Sequence, residues 1–215
     1  MVSRFARLKY TMAYNKFKLK DLKIKFGIEN SSRHFLPQEL LPFVPSQKVL
    51  SELADAEGVA LATEKAKSEH IITPTIKELR RRNLEKFSYF SGYEFNVDKK
   101  QGLNGYCDFI FSAKPHKIEI ENPIFCFVEA KKDDIDGWFG QCGAEMYAAQ
   151  LYNEREGNPR KVIYGCVTNA FSWCFLKLED KNLFIDPNYI PLTFSEPHRV
   201  LEVLQWILDD SLQQN

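Results

Sequence analysis

Disulfide and zinc chemistry have little to work with in this sequence. Its five cysteines, Cys107, Cys126, Cys142, Cys166 and Cys174, are odd in number and scattered, and no C-x-x-C spacing occurs. The four histidines, His34, His70, His116 and His198, pair with no cysteine at zinc-ligand spacing. Most of the cysteines sit in apolar runs, where a buried free thiol is the expected state. No apolar run approaches the roughly 20 residues that a membrane-spanning helix requires. The basic, interrupted N-terminal stretch lacks the continuous apolar segment of a signal peptide. A cytoplasmic protein without a membrane partner is therefore expected. Charge of one sign is lacking too: 29 basic residues balance 29 acidic ones. That excludes a protein coated in positive charge, but leaves room for local basic patches. Lys16 to Lys25 and Arg80 to Arg82 form two such patches, and each alone reads first as a solvated face.

What is present is an ordinary globular composition, 44% hydrophobic and 27% charged over 215 residues, enough for one domain with a sizeable core. Residues 1–46 read as an N-terminal extension and 47–215 as the main domain. Within the extension, Phe17, Leu22 and Phe26 suggest a short helix closed by Gly27, and Ser46 is placed to cap the next one. A helical stretch from about Thr63 to Asn83 carries the stripe Ile71, Ile72, Ile76 and Leu79, with a break expected at Pro74. Strands follow at Tyr89–Val97, Tyr106–Ser112 and Ile124–Ala130, with turn chemistry at Gly102–Gly105. An alanine-rich helix over Gly137–Glu154 precedes strands at Lys161–Thr168 and Phe171–Leu178. The C-terminal helix, Pro197–Leu212, is expected to pack on the core or to form the seam of a homodimer. The order predicts an α/β layered domain around a mixed sheet. Trp138, Phe139 and Tyr147 are expected in helix packing, and Phe171, Trp173 and Phe175 on the core face of a strand.

The tripeptide Glu129-Ala130-Lys131 stands out by its context. Acid-x-Lys also occurs at Asp21, Asp98 and Glu179, so the motif alone says little. Here five apolar residues, Ile124 to Val128, lead into it, as in a strand buried on both faces. Alternation puts Glu129 and Lys131 on one side of that strand. Buried charges of this kind need partners, and a cation with a phosphate would serve. Asp108, in the preceding strand, is another acid among apolar neighbours. If the strands are antiparallel neighbours, about 4.8 Å apart, the two carboxylates converge and repel unless a cation or proton lies between them. Hard oxygen ligands point to magnesium or manganese. The alternative is a plain salt bridge, with Lys131 neutralising Glu129.

Asp108, about twenty residues, Glu129-Ala130-Lys131 at the end of an apolar strand, and then a helix bearing Gln141 together resemble the PD-(D/E)xK nuclease superfamily. The runs Gly-Leu-Asn-Gly-Tyr-Cys-Asp, Val-Glu-Ala-Lys-Lys-Asp-Asp-Ile and Gly-Gln-Cys-Gly-Ala-Glu-Met are similar to small stand-alone bacterial members. The proline that often precedes the aspartate is replaced by Cys107. The resemblance implies a restriction-endonuclease-like three-layer core, a mixed sheet flanked by helices. It implies a magnesium- or manganese-dependent endonuclease acting on nucleic acid, DNA first. Asp108 and Glu129 would hold the ion, and Lys131 would orient water and stabilise charge on the phosphate. Gln141 would complete the site, with Glu145 on the same helix face. A glutamate of the preceding helix would join the ligands, Glu69 ahead of Glu64. A lowered pKa is expected for Lys131 beside the ion. Lys99, Lys100 and Lys132, with Arg80 to Arg82, would bind the backbone. A catalytically silent nucleic-acid-binding module and a scaffold protein are the competing readings.

Overall fold

The computed structural model describes residues 13–214. Residues 1–12, the start of the expected extension, lie outside the described residues. In chain order the elements are α1 (Leu19–Phe26), β1 (Glu29–Ser32), α2 (Gln47–Asp55), α3 (Glu64–Lys67), α4 (Thr73–Arg82), β2 (Ser88–Glu94), β3 (Tyr106–Ser112), β4 (Ile124–Ala130), α5 (Phe139–Arg155), β5 (Val162–Thr168), β6 (Ser172–Glu179), β7 (Asn182–Ile185), β8 (Ile190–Pro191) and α6 (His198–Gln213). Among the described residues they form an α/β fold around a mixed sheet of eight strands, ordered β1-β7-β6-β5-β4-β3-β2, with β8 alongside β6. The β4–β5 and β1–β7 pairs are parallel and the others antiparallel.

Helices cover both faces. On one side, Leu53 of α2, Ile76 of α4 and Leu204 of α6 meet Phe109, Val128 and Phe175 of the sheet. On the other, Leu22 of α1 and Cys142 and Met146 of α5 meet Ile110, Phe127 and Val167. All seven residues of β4 and of β5 are buried, as central strands covered twice should be. The five cysteines are free and buried, and α6 packs Val200, Leu204 and Leu208 into the core. Among the described residues, no helix is long and apolar enough to cross a membrane.

Local signals explain the boundaries. Gly27 ends α1 in the left-handed region at φ 68°, where a side chain is disfavoured. The Ser46 hydroxyl caps α2 at Val49 N–H, and Ser46 also donates to Glu78 of α4. The break expected at Pro74 takes the form of one wider, π-type turn over Ser68–Ile72, between α3 and α4. Pro74 has no N–H for the carbonyl one turn back, and a wider turn absorbs that mismatch. Phe171 is the exception to its predicted face: it lies just before β6 and stays 37% exposed, while Trp173 and Phe175 are buried.

The N-terminal segment is built into the sheet and the core. β1 pairs with β7 along the sheet edge, and Tyr14, Phe17, Leu22 and Ile28 are buried on the α5 side. Close approach to α5 depends on glycine: a Cβ on Gly140 would lie 2.5 Å from backbone atoms of Lys18 and 2.6 Å from the Phe17 carbonyl oxygen. Backbone cannot yield as a flexible side chain does. Gly140→Ala is accordingly expected to destabilise the fold by about 1–3 kcal/mol, read as a lower urea midpoint. An unchanged midpoint would show that this contact relaxes freely.

Candidate active site

The chemistry-bearing side chains gather where β3 begins and β4 ends. The register Phe109↔Val128 sets Asp108 against Glu129 across the antiparallel pair. The Ala130 N–H donates to Asp108 Oδ2 at 2.8 Å, and a contact with the Glu129 side chain also bears on the Asp108 carboxyl. Asp108 and Glu129 are thus neighbours across the strand pair. Glu129 projects toward α5, on the same side as Phe127, while Val128 and Ala130 belong to the opposite core. Lys131 Nζ donates to Glu129 Oε1 at 2.5 Å, and the ammonium lies 4.3 Å from the centre of the Trp138 ring. From α5, Gln141 Nε2 donates to the same Glu129 Oε1 and, at 3.0 Å, to Glu145 Oε1.

This cluster is almost dry. Glu129 is 2% exposed, Lys131 7%, Gln141 3% and Glu145 0%. Asp108 reaches outward, into a cleft of about 310 Å³ lined also by Glu64, Ser68, Glu69, Thr73 and Ser91. The carboxyls of Glu64, Asp108, Glu129 and Glu145 all feel the Lys131 ammonium, and Lys65 also lines the cleft. Burial raises the pKa of Asp108 from its ordinary value, against the lowering influence of Lys131, the Ala130 N–H and Glu129. Burial pushes Glu129 much further up, helped by the charges of Glu145 and Asp108, with Lys131 pulling back. Burial also raises Glu64, which feels Lys131 and Asp108, and lifts Glu145 to about 8. Negative charge in excess of positive charge in a low-dielectric site calls for protons or a cation.

Several site expectations change. Glu69 lines the cleft but points largely to solvent, 59% exposed, near Lys65. Glu64 is the glutamate whose charge acts on Lys131 and is acted on by Asp108, so the order of the two is reversed. Burial alone would lower the pKa of Lys131, as expected, but Glu129, Asp108 and Glu64 outweigh it and the net shift is upward. Lys99 and Lys100 sit in the turn organised by Asp98, beside Arg155 at the far end of α5. That end lies about 20 Å along the helix from Gln141, away from the cleft. Arg81 and Arg82 bond Glu78 and the Val44 carbonyl, and Arg80 and Arg82 lie over Phe87 and Phe43, so this patch is engaged in packing. Lys132 alone of the proposed backbone-binding lysines adjoins the site, exposed and 3.9 Å from Asp133.

Lys67 and Tyr14, in the site's surroundings, are not singled out in the sequence, and Lys18 only as one member of a basic patch. Lys67, 9% exposed, donates through Nζ to the Lys132 carbonyl and lies 3.8 Å from Asp133, tying α3 to the loop after β4. Lys18 donates to the Gly137 carbonyl at 3.1 Å and faces Trp138 at 5.4 Å. The Tyr14 hydroxyl, buried and without a hydrogen-bond partner, lies close enough to Glu145 to feel its charge. Lysines in charged stretches look solvated in a sequence, and no local signal ties Lys67, Lys18 or Tyr14 to the site.

A hard divalent cation fits the donors present. Lys131 and Gln141 both bond Glu129 Oε1, while Glu129 Oε2 is buried and has no hydrogen-bond partner. A buried oxygen of this kind is costly unless something binds it. Among the described residues, no three histidine, cysteine or acidic side chains are grouped to enclose an ion by themselves. Asp108 and Glu129 would supply two carboxylates and leave the remaining positions to water and substrate oxygens, the coordination magnesium commonly adopts. Comparison with protein-family profiles and with curated proteins found no match.

Proposed function

We propose that the chain is a divalent-cation-dependent phosphodiesterase acting on nucleic acid, DNA foremost, with a site of the PD-(D/E)xK kind. The carrying observation is the meeting of Asp108 with Glu129 across β3 and β4, Lys131 on the same carboxylate, beside an open cleft. Asp108 and Glu129 would hold magnesium or manganese. When bound, such an ion acidifies water and offsets charge developing at a phosphate. Lys131, a buried ammonium kept charged by its neighbours, would stabilise negative charge on the phosphoryl oxygens. Gln141 holds Glu129 in place, and Glu64 and Asp108 present carboxylates to the cleft.

The Lys131–Glu129 ion pair, already closed at 2.5 Å, favours a second reading, a scaffold in which the pair is structural. One experiment separates them. The chain is incubated with single- and double-stranded DNA and RNA in magnesium, manganese or a chelator, alongside Asp108→Asn. Cleavage that needs the ion and disappears in Asp108→Asn is expected. Absence of cleavage and of any ion-dependent rise in melting temperature would overturn the catalytic reading in favour of the scaffold.

A further inference from the structure

We propose that Glu145 is a positioning residue, fixing the Gln141 amide so that Glu129 keeps one carboxylate oxygen free for a cation. This inference rests on the proposed function and extends it one layer outward. Gln141 and Glu145 are four residues apart on α5, so they share a face. The amide nitrogen has two N–H groups; one bonds Glu129 Oε1 and the other Glu145 Oε1. Both acids accept through Oε1, and they can do so whether or not the other oxygen carries a proton, so the amide between them turns its nitrogen to both. With an apolar neighbour in place of Glu145, that second restraint on the amide is gone. Only the bond to Glu129 would then hold the amide, leaving it freer to turn away from that carboxylate.

The consequence falls on Glu129. Lys131 and Gln141 converge on Oε1 and leave Oε2 bare. Losing the amide N–H would free the carboxylate to turn, and the defined ligand oxygen would be lost. Glu145 is expensive where it stands: it is fully buried, and its Oε2 has no hydrogen-bond partner. An apolar side chain would pack there near Cys107 and Cys142 without that cost. Its hydrogen bond to Gln141 is the return on that cost, since groups that orient metal ligands matter nearly as much as the ligands do.

The test uses the full chain with manganese alone, titrated calorimetrically, and thermal unfolding under the same conditions. Glu145→Leu is expected to fold with a melting temperature at or above that of the parent, yet to bind manganese about 10–100-fold more weakly. Glu145→Gln retains an acceptor oxygen for Gln141 and is expected to bind close to the parent. Should Glu145→Leu fail to fold, Glu145→Met, whose unbranched side chain follows the same path, takes its place. Parental affinity in the folded Leu or Met variant would overturn the inference. So would a loss in Glu145→Gln as deep as in Glu145→Leu. A parent chain that is folded and binds no manganese would sink the proposed function itself, an outcome read before any variant is compared.

Discussion

Lys131→Met is expected to lower ion-dependent phosphodiester cleavage by about 10²–10³-fold, the scale set by removing one preorganised charge-stabilising group from a dry site. Methionine has a similar unbranched shape, so the change removes charge with little change of volume. Two effects act together. The ammonium that would face the developing charge is gone, and the carboxylates lose a cation that holds their pKa values down, at Asp108, Glu129 and Glu145 alike. They then hold protons more tightly, while a bound cation is relieved of the repulsion of the ammonium, so the diagnostic quantity is kcat. It should fall, where a purely structural lysine would leave it unchanged in a folded protein. Breaking a buried ion pair also costs about 3–5 kcal/mol when the remaining partner stays charged. Here Glu129 takes up a proton instead, so the loss of stability should shrink as the pH is lowered. Chemical denaturation at two pH values checks this. A Lys131→Met protein that cleaves like the parent would remove Lys131 from the proposed mechanism.

The centre of this site was readable because its information is local. Five apolar residues running into Glu-Ala-Lys specify a central strand, and β4 spans Ile124–Ala130 as expected. Side-chain alternation then sets Glu129 and Lys131 together, and the neighbouring strand brings Asp108 opposite. Gln141 and Glu145 follow from helical spacing on α5. The choice between Glu64 and Glu69 was not readable, because the wider turn at Ser68–Ile72 changes the angular phase along this helix. Glu69 lies inside that turn and Glu64 before it, so a uniform 100° step per residue misplaces one relative to the other. β1 was unreadable for another reason. Its residues, Glu29 to Ser32, are all exposed and polar, and only backbone pairing to β7 makes them a strand. Lys99 and Lys100 were misplaced because a charged turn says nothing about which way its hairpin folds, here back along α5 to Arg155.

Stability is expected to fall between about pH 4.5 and pH 8, with Glu145 a main cause. Burial, helped by the charge of Asp108 and opposed by Gln141, Lys131 and Cys107, raises its carboxyl from 4.5 to about 8. Below about 4.5 both folded and unfolded chains carry the proton, and the protonated buried acid costs nothing extra. Above that value the unfolded chain releases the proton while the folded chain keeps it, so each rise in pH favours unfolding. At about 1.4 kcal/mol per pH unit, the gap amounts to at most about 5 kcal/mol by pH 8, where the folded group also ionises and the loss is complete. Glu129, raised in the same direction, adds to the slope. Glu145→Gln cannot ionise and still accepts from Gln141. Its unfolding free energy should therefore match the parent near pH 4.5 and exceed it increasingly toward pH 8. Urea unfolding of both proteins across that range isolates Glu145 from the histidines and other groups common to the two. Parallel curves would mean that the Glu145 carboxyl is ionised in the folded chain at neutral pH, with enough positive charge beside it to offset its burial.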